Sequence, residues 1–228
     1  MIKQLFTSAV LAGLVAGIFA AALQLILVVP LLIEGETFEQ GLVLHFTLSE
    51  NGAIETPVGH PAIMAQLPRH FGTLAMNMVA YTGFAFLLVV GFGIAQRAGH
   101  KIDGRAGLVW AFAGFIAVHL APSVGLSPEL PGTITADLVA RQTWWLGTVL
   151  ATIAGIASIA FVRAPWGAVT GIALFVAPHV IGAPTIDTYY GVAPPELASL
   201  FAARALAVAA ASWAVLGAAA GWLWCRSA

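Results

Sequence analysis

The chain has 228 residues, of which 60% are hydrophobic and only 8% are charged, and its formal net charge is −1. A soluble domain carries about 25% charged residues, so this chain cannot cover a surface with polar groups and is predicted to be an integral membrane protein. The near-neutral charge offers no basic patch for nucleic acid. The single cysteine, Cys225, excludes an intramolecular disulfide and a multi-cysteine metal cluster.

Six apolar segments predict an all-α, polytopic membrane protein, because a helix needs about 20 apolar residues to cross a bilayer. In chain order these segments are Leu5–Ile33, Phe71–Ala95, Ala106–Leu126, Thr143–Val162, Gly167–Gly182 and Ala198–Leu223. The first has the basic start of a signal peptide, but its apolar run is about twice the usual ~7–15 residues, which favours a retained helix. The fifth is short and ends in Ala-Pro. We interpret residues 1–228 as one transmembrane domain.

Charged residues separate between the two faces that six crossings would create. One face receives six of the nine basic residues: Lys3, Arg97, Lys101, Arg105, Arg163 and Arg226. The other receives nine of the ten acidic residues: Glu34, Glu36, Glu39, Glu50, Glu55, Glu129, Asp137, Asp187 and Glu196. Basic residues favour the cytoplasmic side, so we expect both termini to be cytoplasmic and the six helices to form three outward-pointing hairpins.

The segment between the first two helices, residues 34–70, is predicted to form an extracytoplasmic cap. In this interpretation Glu34–Gln40 extends the first helix beyond the membrane. Apolar residues then alternate with others, which indicates a strand or an interfacial segment; they are Phe38, Leu42, Leu44, Phe46 and Leu48.

The second and third hairpins share a sequence pattern: a histidine and a proline end the ascending helix, a Pro-Glu-Leu turn follows, and an arginine comes near the start of the descending helix. The matching residues are His119, Pro122, Glu129 and Arg141 in one hairpin, and His179, Pro184, Glu196 and Arg204 in the other. Parallel repeats of this kind build several transporters. The alternative is that prolines and acids gather at helix ends in any membrane protein.

Two histidines stand at similar predicted depth on ascending helices. His119 follows Arg105 by 14 residues and His179 follows Arg163 by 16, which places both about 21–24 Å above the inner interface at ~1.5 Å per residue. Imidazoles with carboxylates nearby suit Co²⁺, Ni²⁺ or Zn²⁺. The predicted metal ligands are His119, His179, His70, Glu129 and Asp137. The alternative is that each histidine is an ordinary hydrogen-bonded residue near a helix end.

Other polar and small residues are assigned structural or gating roles: Pro122, Arg141, Arg204, Asn77 and Pro184. The outer arginines, Arg69 among them, are expected to hold the hairpin mouths by pairing with the nearby acids Glu34, Asp137 or Glu196, and an anion-binding ring is the alternative. The amides of Asn77 and Gln24 need polar partners in hydrocarbon. Gly13 and Gly17 predict a close-packing helix face.

No phosphate loop, nucleotide-binding motif or catalytic Ser/His/Asp arrangement can be identified, so we expect no enzyme activity and no organic cofactor. Transport would then be driven by a gradient or by another subunit. Two alternatives stay open. One is a membrane b-type haem protein with His119 and His179 as axial ligands, and the other is a structural or assembly subunit of a membrane complex.

The sequence resembles the CbtA family of predicted cobalt transporter subunits in four stretches: AVLAGLVAGIFAAALQLILVVPLLIEGE, HLAPSVGLSPELPG, ADLVARQTWWLGT and ALFVAPHVIGAP. The resemblance implies a multi-pass protein of the bacterial inner membrane, linked to cobalamin metabolism, with Co²⁺ as substrate. It also implies a small single-span, histidine-bearing partner, CbtB. Separately, the small-residue face of Gly13 and Gly17 allows association with further copies of the chain. The positions it marks are His119, Pro122, Glu129, Pro131, Arg141, Trp144, His179 and Pro184.

Overall fold

The structure, a computed structural model, describes residues 2–48, 52, 54–56, 66–188 and 190–226, most of which are helical. The elements are α1 (Ile2–Leu27), α2 (Val29–Glu39), β1 (Thr47–Leu48), β2 (Ile54–Glu55), α3 (Leu67–Arg97), α4 (Gly104–Phe115), a π-helical turn (Ile116–Leu120), α5 (Ala121–Ser123), α6 (Leu138–Phe161), α7 (Pro165–Ile181) and α8 (Pro195–Arg226). The prediction of a helical membrane protein is confirmed.

The predicted cap segment contains a helix and a short strand pair. α2 extends to Glu39, as expected for the helical extension, and β1 pairs antiparallel with β2. Residues 49–51, 53 and 57–65 of the segment, Glu50 among them, lie outside the described residues. The position of this segment relative to the membrane stays a prediction.

Within the described residues, five helices are long and apolar enough to cross a membrane: Ile2–Leu27, Leu67–Arg97, Gly104–Ser123, Leu138–Phe161 and Pro195–Arg226. The predicted fifth span forms α7, which has 17 residues and is therefore about 25 Å long. That length is short of the ~30 Å hydrocarbon core. The arrangement of six crossings and the side of the termini stay predictions.

Prolines interrupt three of the predicted helices. The first breaks at Val28 ahead of Pro30, the third widens into the π-helical turn ahead of Pro122, and α7 contains Pro178 near its end. Proline has no N–H to donate, and its ring clashes with the carbonyl four residues earlier. The predicted first segment, Leu5–Ile33, therefore forms two helices, α1 and α2.

The chain divides into two compact units, and the first is built by close helix packing. It comprises Met1–Leu25, Gln66–Val118 and Ala207–Ala228. A Cβ on Gly13 would lie 2.7 Å from Thr82 Oγ1, and one on Gly17 would lie 2.6 Å from Met78 Cα. The close-packing face predicted from these two glycines is confirmed, because only hydrogen at each position lets α1 and α3 approach this closely.

A buried amide pair joins the same two helices. Asn77, which is 8% exposed, donates from Nδ2 to Gln24 Oε1 at 2.9 Å and to the Thr73 carbonyl at 2.8 Å. Both amides were predicted to need polar partners, and the structure pairs them with each other.

The second unit contains α2, α6 and α7, and it comprises Ile26–Ala65 and His119–Leu206. α6 and α7 run antiparallel and approach closely, because a Cβ on Gly155 would lie 2.9 Å from the Gly171 carbonyl oxygen. Ser158 Oγ also donates to the Gly167 carbonyl at 2.9 Å. Small residues therefore set the spacing of this helix pair, which carries the two loops described next.

Candidate functional site

Two loops of the second unit meet and pair through their backbones. Ile134 N donates to the Tyr190 carbonyl at 3.3 Å, and Thr133 forms an antiparallel bridge with Gly191. These loops follow the two histidine-bearing helices, so the two predicted hairpin mouths are joined. We name the loops by their flanking helices: the α5–α6 loop, residues 124–137, and the α7–α8 loop, residues 182–194.

A cavity of about 620 Å³ lies between the two loops. Its polar lining comes from hydroxyl groups and one charged pair: Ser127, Thr133, Thr135, Thr185, Tyr190, Ser199, Glu129 and Arg141. Pro184, predicted to be structural or gating, lines it as well. The cavity is therefore wide and polar along part of its wall.

Glu129 and Arg141 form an ion pair at the cavity wall. Arg141 Nη2 lies 2.7 Å from Glu129 Oε2, and its Nη1 donates to Thr135 Oγ1 at 2.9 Å. The side chains are 25% and 30% exposed for Arg141 and Glu129 respectively, so the pair is only partly screened by solvent. Among the described residues that line the cavity, these two are the only charged ones.

The expected pairing of Arg141 with Asp137 is wrong. α6 begins at Leu138, and Asp137 is its N-cap: Asp137 Oδ1 accepts a hydrogen bond from Ala140 N at 2.9 Å. A carboxylate at this position satisfies a helix N–H and favours the positive end of the helix dipole. Asp137 thus stabilises the start of α6, and the arginine one turn later is left for Glu129.

His179 is half-buried and lies against Trp144. The two ring centroids are 5.9 Å apart at an interplanar angle of 65°, an edge-to-face arrangement. Trp144 Nε1 donates to the carbonyl of Pro178 at 3.1 Å. A Cβ on Gly125 would meet the Trp144 ring at 2.6 Å. Trp144 therefore holds the end of α7 and also packs against the start of the α5–α6 loop at Gly125.

His119 lies in the π-helical turn, three residues before the buried Pro122. Single π-helical turns occur often at functional sites, because the widened backbone redirects side chains. His119 is half-buried and precedes the cavity-lining Gly125 by six residues, while His179 precedes Pro184 by five. Both histidines belong to the second unit and stand at matching positions ahead of the cavity.

The remaining predicted residues lie elsewhere. His70 and Asn77 are on α3, in the first unit. Arg204 donates from Nη1 to the Leu27 carbonyl at 3.3 Å, so it binds the end of α1 where an acidic partner was expected. Within the part of the chain that the structure describes, no group of three or more His, Cys, Asp or Glu side chains is close enough to hold a metal. The five-residue ligand set stays a prediction.

Two features of the site were missed from the sequence: the contact of Trp144 with His179, and the π-helical turn at His119. The available signals were the prolines, since Pro178 directly precedes one histidine and Pro122 follows the other by three residues.

The family comparison decides the class of protein. Residues 2–225 match the family described as probable cobalt transporter subunit (CbtA). The chain belongs to the CbtA family. The match covers almost all of the 228 residues, so the resemblance extends well beyond the four stretches that first indicated it. No curated protein and no solved structure matches the chain. Membership of the CbtA family makes this a membrane protein of cobalt transport, and the family description is that of a transporter subunit.

Proposed function

We propose that the chain is the membrane component of a cobalt uptake system and binds the ion at its extracytoplasmic face. The observation that carries this proposal is the cavity between the α5–α6 and α7–α8 loops in a member of the CbtA family. Each loop follows a helical segment that has a histidine within its last turns, His119 or His179. The cavity wall also carries the carboxylate of Glu129.

The proposed ligands are His119 and His179, with Glu129 and Asp137 supplying carboxylate oxygen. Imidazole nitrogen suits Co²⁺ and equally Ni²⁺ or Zn²⁺, and carboxylates complete the shells of such ions. Glu129 would have to leave Arg141, and Asp137 already caps α6. His70 belongs to the other unit, and its assignment stays a sequence prediction.

The proposed topology has six crossings with both termini in the cytoplasm of a bacterial cell. The segregation of basic and acidic residues supports it. If α7 did not cross, Asp187 and Glu196 would lie on the cytoplasmic side with the basic residues. A helix as short as α7 is accommodated by local thinning of the bilayer at modest cost. In this topology the α5–α6 and α7–α8 loops lie at the extracytoplasmic face.

A partner subunit fits this proposal. The family description is of a subunit, and the sequence carries no nucleotide-binding motif to drive transport. We propose that a small single-span, histidine-bearing protein delivers or receives the ion. Uptake of radioactive cobalt by cells that express the chain with and without such a partner measures this directly. Equal background uptake in both cultures and in empty-vector cells would remove the transport role.

Metal binding by the histidines is measured by titrating purified protein with Co²⁺ in a calorimeter. The variant His119→Ala/His179→Ala should lose most of the heat of binding, because two imidazole ligands are gone. His100→Ala is the matched control, since His100 is an exposed histidine after α3 in the first unit. Unchanged affinity in the double variant would take both histidines out of the site.

The native Cys225 is a natural probe of topology, because it is exposed and is the only cysteine of the chain. A membrane-impermeant maleimide should label it only after permeabilisation of the cells. The variant Ser127→Cys in a Cys225→Ser background should be labelled in intact cells. The reverse pattern contradicts the proposed orientation.

A further inference from the structure

The cavity between the two loops is much larger than a bare metal ion. Its volume is about 620 Å³. One water molecule takes about 30 Å³ of liquid, so the cavity has room for about 20 waters. A divalent cation can therefore enter it with its inner hydration shell intact. Such an ion is recognised first by its charge, before any ligand replaces its water.

The charge that would attract a cation is neutralised in the structure. Glu129 is the only described acidic residue of the lining, and Arg141 Nη2 lies 2.7 Å from one of its carboxylate oxygens, Oε2. Asp137, at the foot of the α5–α6 loop, is engaged with the N-terminus of α6. A cation that binds Glu129 through this oxygen must therefore take the place of the guanidinium.

Arg141 is held by few bonds for an arginine. A guanidinium has five N–H donors. Nη2 is bonded to Glu129 and Nη1 to Thr135, while Nε is buried with no hydrogen-bond partner in the described part of the chain. The second anchor, Thr135, is on the α5–α6 loop and would remain when the bond to Glu129 breaks. The side chain can thus give up the carboxylate without losing all its contacts.

We propose that Arg141 is a resident counter-ion that an incoming hydrated divalent cation displaces from Glu129. The proposal rests on the proposed uptake function and names the step that precedes coordination by the histidines. A dication is attracted to a carboxylate twice as strongly as a single charge at the same distance, which lets it compete with the guanidinium. When the ion moves on, Arg141 pairs with Glu129 again and lowers the affinity for the ion. This return aids release.

The proposal makes an unusual prediction for Arg141→Gln. Removing the competing cation should tighten Co²⁺ binding about tenfold, because a positive charge beside the carboxylate opposes the ion. Uptake should become slower in the same variant, since the ion leaves the carboxylate less readily. Arg141→Lys keeps the charge and should stay near wild-type affinity. Glu129→Gln should weaken binding.

The experiment is a Co²⁺ titration of the full chain in lipid nanodiscs, with cobalt uptake measured in cells. Arg163→Gln is the matched control, since Arg163 is an exposed arginine of the same unit, outside the cavity lining. It changes the net charge equally and should leave affinity unchanged. Thermal unfolding identifies a misfolded variant, and if Arg141→Gln fails to fold, the comparison of Arg141→Lys with Glu129→Gln decides.

Tighter binding with slower uptake in Arg141→Gln supports the counter-ion role. Equal or weaker binding in that variant, while the wild type binds Co²⁺, overturns it and leaves the proposed uptake function standing. If Arg141→Gln misfolds, loss of affinity in Arg141→Lys as large as in Glu129→Gln overturns it too. A wild-type protein that binds no Co²⁺ overturns both proposals.

Discussion

Trp144 offers the sharpest test of whether His179 takes part in metal binding. Its Nε1 donates to the Pro178 carbonyl at 3.1 Å, and its ring lies against the His179 ring. The variant Trp144→Phe keeps an aromatic ring beside His179 and removes only the indole N–H. We expect it to loosen the end of α7 and so to misplace the imidazole, which makes Trp144 a positioning residue.

The size of the effect follows from the one bond removed. A hydrogen bond contributes a net ~0.5–1.5 kcal/mol, and the Pro178 carbonyl keeps its bond from Gly182 N at 3.1 Å. The loss is therefore near the middle of that range, about 1 kcal/mol. If all of it appears in binding, Co²⁺ affinity falls about fivefold, since 1.4 kcal/mol is tenfold.

The assay is a Co²⁺ titration monitored by the visible absorption of the bound ion, whose spectrum reports its ligands. Trp145→Phe is the matched control, because Trp145 is the next residue and its side chain is 39% exposed. It should bind as the wild type does. In a His179→Ala background Trp144→Phe should have no further effect, because coupled residues are not additive. An equal loss in both backgrounds would refute the positioning role.

Three further predictions concern packing and cofactor content. Gly17→Ala should destabilise the protein, because its Cβ would lie 2.6 Å from a backbone atom of α3. Gly83→Ala is the control and should not destabilise it, since there is open space around Gly83. Chemical unfolding in detergent compares the stability of the two variants. Replacing either Asn77 or Gln24 by Leu should cost about 0.6–1.7 kcal/mol, and the double variant should cost less than the sum, as an unfolding cycle would reveal. The purified protein should show no Soret band in its absorption spectrum, and such a band would revive the haem alternative.

Local spacing was enough to predict contacts within the first unit. Gly13 and Gly17 are four residues apart, so they share a helix face, and this face packs on α3. The sequence also predicted that the amides of Asn77 and Gln24 need polar partners, because an unpaired amide is costly in hydrocarbon. Their pairing with each other was not predictable, because it depends on the axial register in which α1 packs against α3.

The ion pair of the second unit was beyond local reasoning. Asp137 was one of the acids expected to pair with the outer arginines, and it is only four residues from Arg141. Side chains four residues apart are neighbours only inside a helix, however, and Asp137 is the cap outside it. Glu129 is twelve residues from Arg141, and only the path of the α5–α6 loop brings them together. Likewise, apolar composition cannot distinguish a π-helical turn from an α-helix, although Pro122 indicates where the backbone must adjust.

The helix breaks help explain why the second unit suits an ion site. Pro30, Pro122 and Pro178 all belong to this unit, and each removes a backbone donor from a helix. Irregular backbone at membrane depth is tolerated where protein groups satisfy it or where it borders a water-filled cavity. In this unit, the loops that follow Pro122 and Pro178 line the cavity. Pro122, Pro178 and the cavity therefore lie in the same unit of the chain.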